Sequence, residues 1–197
     1  MTGCARAFVV KASQAYVSCT MEPRALAPYG RLDVVARAAI AALSTRRGLR
    51  RDTRFYAVLE GCRPGPLTLE LDGGSMDRVL LSEGDFGELV RDLACGVAIR
   101  GAALYEGGFR ELVNRLVREW GRERVFYMHE RGVDVSEVEI RPPAAFILGD
   151  HMGLEPAAEG WLRSLGTAWV SVGATAYFTE HVITFIHALL DGHVAVR

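Results

Sequence analysis

The sequence predicts an α/β protein, a mostly parallel sheet flanked by helices. Three observations carry that prediction. Short apolar runs of strand length recur along the chain: "AFVVKA" (7–12), "RFYAVLE" (54–60), "RVFYMH" (124–129), "AAFILG" (144–149) and "TAWVSVG" (167–173). Segments with helical apolar spacing fall between them. The chain has 197 residues, half of them hydrophobic and 24% charged, with no internal repeat and no interdomain linker. That length and balance suit one soluble domain spanning 1–197.

The first strand is followed by residues 13–30, which lack periodicity and carry Pro23, Pro28 and Gly30. A loop that long inside a compact domain is usually functional. Leu32, Val35, Ala36, Ala39, Ile40 and Leu43 then mark a helix from Leu32 to about Arg46. After the strand at 54–60, "GCRPGP" reads as a turn and "LTLEL" (67–71) as an edge strand. Ser82 and Asp85 form the pattern of a capping box that opens a helix to about Cys95. "GFRELVNRLVREWG" places Phe109, Leu112, Leu116 and Trp120 along one helical stripe. Another helix is expected from Pro156 to Leu165. "FTEHVITFIHALLDG" closes the chain as a helix that is apolar on more than one face, which points to a subunit interface.

Composition excludes several classes of function. No apolar run approaches the roughly 18 residues of a membrane helix, and the N-terminus has no signal-peptide pattern, so a cytoplasmic protein is expected. Cys4, Cys19, Cys62 and Cys95 are scattered without a CxxC pair and read as free thiols. His181, His187 and His193 are six apart, which turns them away from a common helical face, so no metal site is expected. His129 and His151 could approach across strand ends, but nothing fixes them as ligands. Neither a GxSxG elbow nor a GxxxxGK[ST] loop is present.

Ligands of parallel α/β sheets bind beyond the carboxyl ends of the strands. Met128, Gly149 and Ser171 stand at three such ends. In "FILGDHMG" (146–153) an apolar strand runs into Gly149, Asp150 and His151. Arg31 and Asp33 stand where the long loop enters its helix, and an arginine there can hold a phosphate or base edge while a carboxylate accepts a proton. The net charge is −1, yet "TRRGLRRDTR" gathers Arg46, Arg47, Arg50, Arg51 and Arg54 within ten residues. Such a run is either a solvated helix end or a phosphate-binding patch.

"GRLDVVAR", "RRDTRFYAVLEG", "FILGDHMG" and "SVGATAYFTEHVITFIHALLD", in that order and spacing, resemble the archaeal tRNA pseudouridine-54 N1-methyltransferases of the SPOUT class. The likeness runs from the first strand to Asp191 and is weakest between about 64 and 108. It implies a SPOUT-type α/β domain with a C-terminal deep trefoil knot, S-adenosylmethionine as cofactor, tRNA as partner, and a homodimer built on the C-terminal helix. It implies that Met128, Gly149, Ser171, Val172, Gly173, Ala174, Thr175, Ala176 and Val182 wrap the cofactor, with backbone approaching closely at Gly149. Asp33 would accept the N1 proton, Arg31 would orient the nucleotide, and Arg46, Arg47, Arg50 and Arg51 would hold RNA phosphates. Val182 stands where the family usually carries a cysteine, Met128 where it carries a leucine, and Gly173 and Ala174 in a loop that usually holds proline and leucines. The same features leave two further readings: methylation of pseudouridine in ribosomal RNA, and a knotted RNA-binding dimer without cofactor.

Overall fold

A computed structural model of the chain describes residues 4–192. Its elements are β1 (Arg6–Ala12), α1 (Leu32–Leu43), β2 (Ser44–Thr45), β3 (Gly48–Leu49), β4 (Thr53–Leu59), β5 (Leu67–Asp72), α2 (Glu83–Ala94), β6 (Ala102–Glu106), α3 (Phe109–Trp120), β7 (Val125–Asp134), β8 (Ala144–Gly149), α4 (Pro156–Leu165), β9 (Ala168–Ser171) and α5 (Thr179–Leu190). Seven strands form one sheet in the order β6-β5-β4-β1-β8-β7-β9. The pairs from β4 through β9 are parallel, and β5 and β6 add an antiparallel margin.

Every residue of β1 is buried, because both sheet faces are covered. Phe8 and Val10 face one side, where they pack with α1, α2 and α5; Ala7 and Val9 face the other, under α3 and α4. The capping box of α2 forms as expected: Ser82 Oγ accepts from the Asp85 amide, and Asp85 accepts from the Ser82 amide. α5 lies against α1, with Ile183, Ile186 and His187 buried and Phe185 and Leu189 half-buried on the same core. Much of its two-faced hydrophobicity is therefore used inside the subunit.

Four expectations need correction. The helix from Leu32 stops at Leu43, not Arg46, because Ser44 and Thr45 pair with Gly48 and Leu49 in a short hairpin. The arginine run thus begins on a hairpin tip instead of a helix end. β5 is not an edge strand, since β6 pairs along it; "AALYE" is short and half-exposed, so its periodicity is faint. The cysteines are not all free. Cys19, in the long loop, is disulfide-bonded to Cys95 at the end of α2, while Cys4 and Cys62 remain thiols. The long loop also runs tight against α2 at Gly87, where a Cβ would lie 2.0 Å from the Pro23 carbonyl oxygen. The last histidine of the six-residue series, His193, falls outside the described residues.

Candidate active site

The 13–31 loop is clamped before it reaches the site. The Gln14 carbonyl is sandwiched by two glycines: a Cβ on Gly30 would lie 1.8 Å from it, and one on Gly61 2.1 Å. Gly30 and Arg31 both adopt the left-handed conformation, Arg31 with φ 63°. That conformation is costly for arginine, and such strain gathers at functional positions. It turns the Arg31 guanidinium back over α1, where Nε and Nη2 donate to the two Asp33 oxygens at 2.9 and 3.0 Å. Arg37, one turn on, donates to Asp33 at 3.0 Å and also reaches Glu83 and Glu180. Hydrogen bonds from Arg31 first, then from Arg37, hold the Asp33 carboxyl below the usual carboxylate range against the opposing effect of burial.

Arg31 and Arg37 open onto a cavity of about 530 Å³ at the carboxyl ends of β8 and β9 and beside the middle of β7, which runs on past Met128 to Asp134 instead of ending there; its size suits a small molecule. Met128, Leu148, Val170 and Val182 give it an apolar wall, and Gly149, Ser171, Val172, Gly173, Thr175 and Ala176 also line it. Of the residues expected around a cofactor, only Ala174 lies outside the wall, fully on the surface. Ser171 Oγ donates to the Gly173 carbonyl and accepts from its amide, so the side chain shapes its own loop. The amides of Ala174 to Tyr177 donate to no partner among the described residues. A loop of free amides beside an apolar slot fits the adenine of S-adenosylmethionine, whose ring face is apolar and whose edge carries acceptors.

At Gly149 the structure gives a different reason for the glycine. A Cβ there would lie 2.5 Å from the Gly153 backbone, so the tight approach is that of its own loop. Asp150 builds that loop: Oδ1 accepts from the Met152 amide and Oδ2 from the Ser13 amide, each at 2.8 Å. The acid after the strand is a turn-holder that ties two loops together, while His151 lines the cavity. Thr179, the first residue of α5, donates to the Gly149 carbonyl at 2.8 Å.

Asp33 also differs from expectation. Its carboxylate already accepts three hydrogen bonds and does not line the cavity, so its geometry suits holding Arg31 and Arg37 better than taking a proton. The arginine run divides. Arg50 is paired with Asp191, and Arg51 donates to the carbonyls of Gly73 and Met76. Arg46 and Arg47 are exposed. Because Asp191 follows the far end of α5, this run lies roughly one 12-residue helix, about 18 Å, from the cavity. Sequence reasoning missed Arg37, Glu180, Tyr127 and Glu159, and weighed His129 only as a metal ligand. Arg37 was discoverable as the residue one turn after Asp33; the others carry no local pattern. Among the described residues, no cluster of His, Cys, Asp and Glu could hold a metal, and no helix is long and apolar enough to cross a membrane.

A sheet with a ligand-sized cavity at its carboxyl ends defines an α/β ligand-binding fold. In detail the fold matches that of the crystal structure of Archaeoglobus fulgidus Nep1 bound to S-adenosylhomocysteine, with TM-score 0.65, 18% identity, and 96% of this chain and 98% of that one covered. Over residues 5–195 the sequence matches the family described as "Putative SAM-dependent RNA methyltransferase", and the chain belongs to that family. Relatives named tRNA (pseudouridine(54)-N(1))-methyltransferase include those of Methanocella arvoryzae, 30% identical over 80% of this chain and 83% of the relative, and Methanococcus maripaludis, 28% identical over 93% and 97%. That of Thermococcus gammatolerans is 26% identical over 94% and 96%.

Proposed function

We propose that this chain is an S-adenosylmethionine-dependent methyltransferase that methylates N1 of pseudouridine at position 54 of tRNA. The observation that carries this reading is the cofactor-sized cavity lined by Met128, Gly149, Ser171 and Val182, with Arg31 and Arg37, held by Asp33, Glu83 and Glu180, at its edge. Family membership and the names of the relatives support the substrate. When bound, the cofactor supplies a methyl group activated on a sulfonium. Met128 and Val170 would pack on adenine, the 172–177 loop would read its edge, and Val182 would lie near the methionine end. Arg31 and Arg37 would hold the nucleotide, so that positioning supplies most of the rate. N1 would gain the methyl as the sulfonium–methyl bond breaks to leave a neutral thioether, and the N1 proton would pass to solvent; we assign Asp33 to positioning the two arginines.

We further infer that the chain works as one domain, that its C-terminal segment is knotted, and that it acts as a homodimer. The first two are supported by the path after β8: α4 covers one sheet face, β9 joins the sheet, and α5 covers the other face, reaching as far inward as β1, where His187 meets Phe8. Exposed Met152, Tyr177 and Phe178 at the cavity mouth favour cover by a second subunit. The test is methyl transfer to tRNA transcripts carrying pseudouridine or uridine at position 54, beside a pseudouridine-containing ribosomal RNA fragment. Methylation confined to the pseudouridine-54 tRNA is expected. Equal methylation of the uridine transcript, or preference for the ribosomal fragment, would overturn the substrate assignment.

A further inference from the structure

On the sheet face away from α1, the cavity wall is made by Tyr127 and His129 in the first half of β7 and by the first turn of α4. There Tyr127 Oη donates to Glu159 Oε1 at 3.0 Å. The His129 ring is held between Tyr127 and Trp169, with centroids 5.5 and 5.0 Å away. The Arg131 amide donates to His129 Nδ1 at 3.0 Å, which leaves the ring proton on Nε2, 3.5 Å from the same Glu159 oxygen. Burial first, and then the Glu159 carboxylate, pushes the Tyr127 phenol well up, so it stays a donor. One Glu159 oxygen is therefore held by Tyr127, with the His129 ring close beside it. The other, Oε2, has no hydrogen-bond partner among the described residues, and the side chain lines the cavity. Nothing in the methyl transfer described above uses this carboxylate.

We propose that Glu159 Oε2 accepts hydrogen bonds from the ribose hydroxyls of the adenosyl cofactor, with Tyr127 and His129 as positioning residues. The inference rests on the cofactor reading above. A fixed carboxylate oxygen takes O–H or ammonium donors. The methionine end is assigned to Val182 on α5, across the sheet from α4, and sulfur must face the nucleotide, on the Arg31 and Arg37 side. The adenine edge is matched by the free amides of the 174–177 loop. What remains for the α4 wall is the ribose, whose adjacent hydroxyls are held by a carboxylate in other adenosine-binding sites as well.

Calorimetric titration of the full chain with three ligands tests this: S-adenosylhomocysteine, 5′-methylthioadenosine, which keeps the ribose but lacks the amino acid, and the 2′,3′-dideoxy form of the latter. Glu159→Ala should weaken the first two by about 10- to 100-fold and leave the third unchanged. Tyr127→Phe, which removes a holder but keeps the carboxylate, should weaken the first two less. Glu159→Gln preserves shape and guards against a folding effect; it should fall between wild type and alanine. Undiminished binding of both ribose ligands by folded Glu159→Ala would overturn the proposal. So would a penalty with S-adenosylhomocysteine that vanishes with 5′-methylthioadenosine, which would assign Glu159 to the ammonium. Failure of the wild-type chain to bind any of the three would instead sink the cofactor reading, and this subsite with it.

Discussion

At Asp33, three hydrogen bonds from Arg31 and Arg37 leave a carboxylate with little basicity to offer. Asp33→Asn should therefore raise KM for tRNA while changing kcat by no more than a few-fold, whereas loss of a general base costs about 10²- to 10⁴-fold. Steady-state kinetics separates the two outcomes. His187 makes a stability prediction. Arg6 donates to its Nδ1, and its Nε2 donates to the Ala42 carbonyl, so the buried ring is neutral. Burial, followed by the charges of Arg50 and Arg6, lowers its pKa to about 3. The unfolded ring titrates near 6.5, so between those values only the unfolded state takes the proton. This contribution is complete above pH 6.5 and is lost as pH falls, by about 1.4 kcal/mol per unit. Denaturant unfolding at pH 7 and pH 5 should show about 2 kcal/mol of extra loss in wild type relative to His187→Gln. Residue types expected at the strand ends were legible from sequence; Met128, Gly149 and Ser171 do line the cavity. What Asp150 and Gly149 do there was not, because a turn acid and a glycine packed on its own loop look the same in one dimension as ligand-binding residues.

Among the elements, the 13–31 loop shows most clearly where sequence reading ends. Its length marked it as functional, but its pinning depends on contacts with Gly61, Gly87 and Cys95, each remote in sequence. The helices and the parallel strands were readable because each shows its own apolar period over several turns or residues. β6 and the β2–β3 hairpin are too short to show one. Tying residues 76 apart narrows the unfolded ensemble. Replacing Cys19 and Cys95 together by serine should lower stability by about 2 to 4 kcal/mol, measured by denaturant unfolding against the oxidised wild type. Gly61→Ala should be more disruptive to activity, since a methyl cannot fit against the Gln14 carbonyl without moving the loop that delivers Arg31.

For the whole molecule, the cavity sits at one end of the sheet and the exposed pair Arg46 and Arg47 sits past the other end of α5. A tRNA spans that separation easily, and phosphate contacts by this pair, which we propose, would position the substrate without touching the cofactor. Changing both to glutamate should weaken tRNA binding and reduce its salt slope by about two, with affinity for S-adenosylhomocysteine unchanged. Filter binding across a salt series reads both quantities. The measurement that bears most directly on the central claim is calorimetric titration of the chain with S-adenosylmethionine, beside a Val182→Trp variant that fills the apolar wall. One cofactor bound per subunit, and none by the folded variant, is the predicted result. Equal binding by the variant would put the cofactor elsewhere, and no binding by the wild type would contradict the methyltransferase reading altogether.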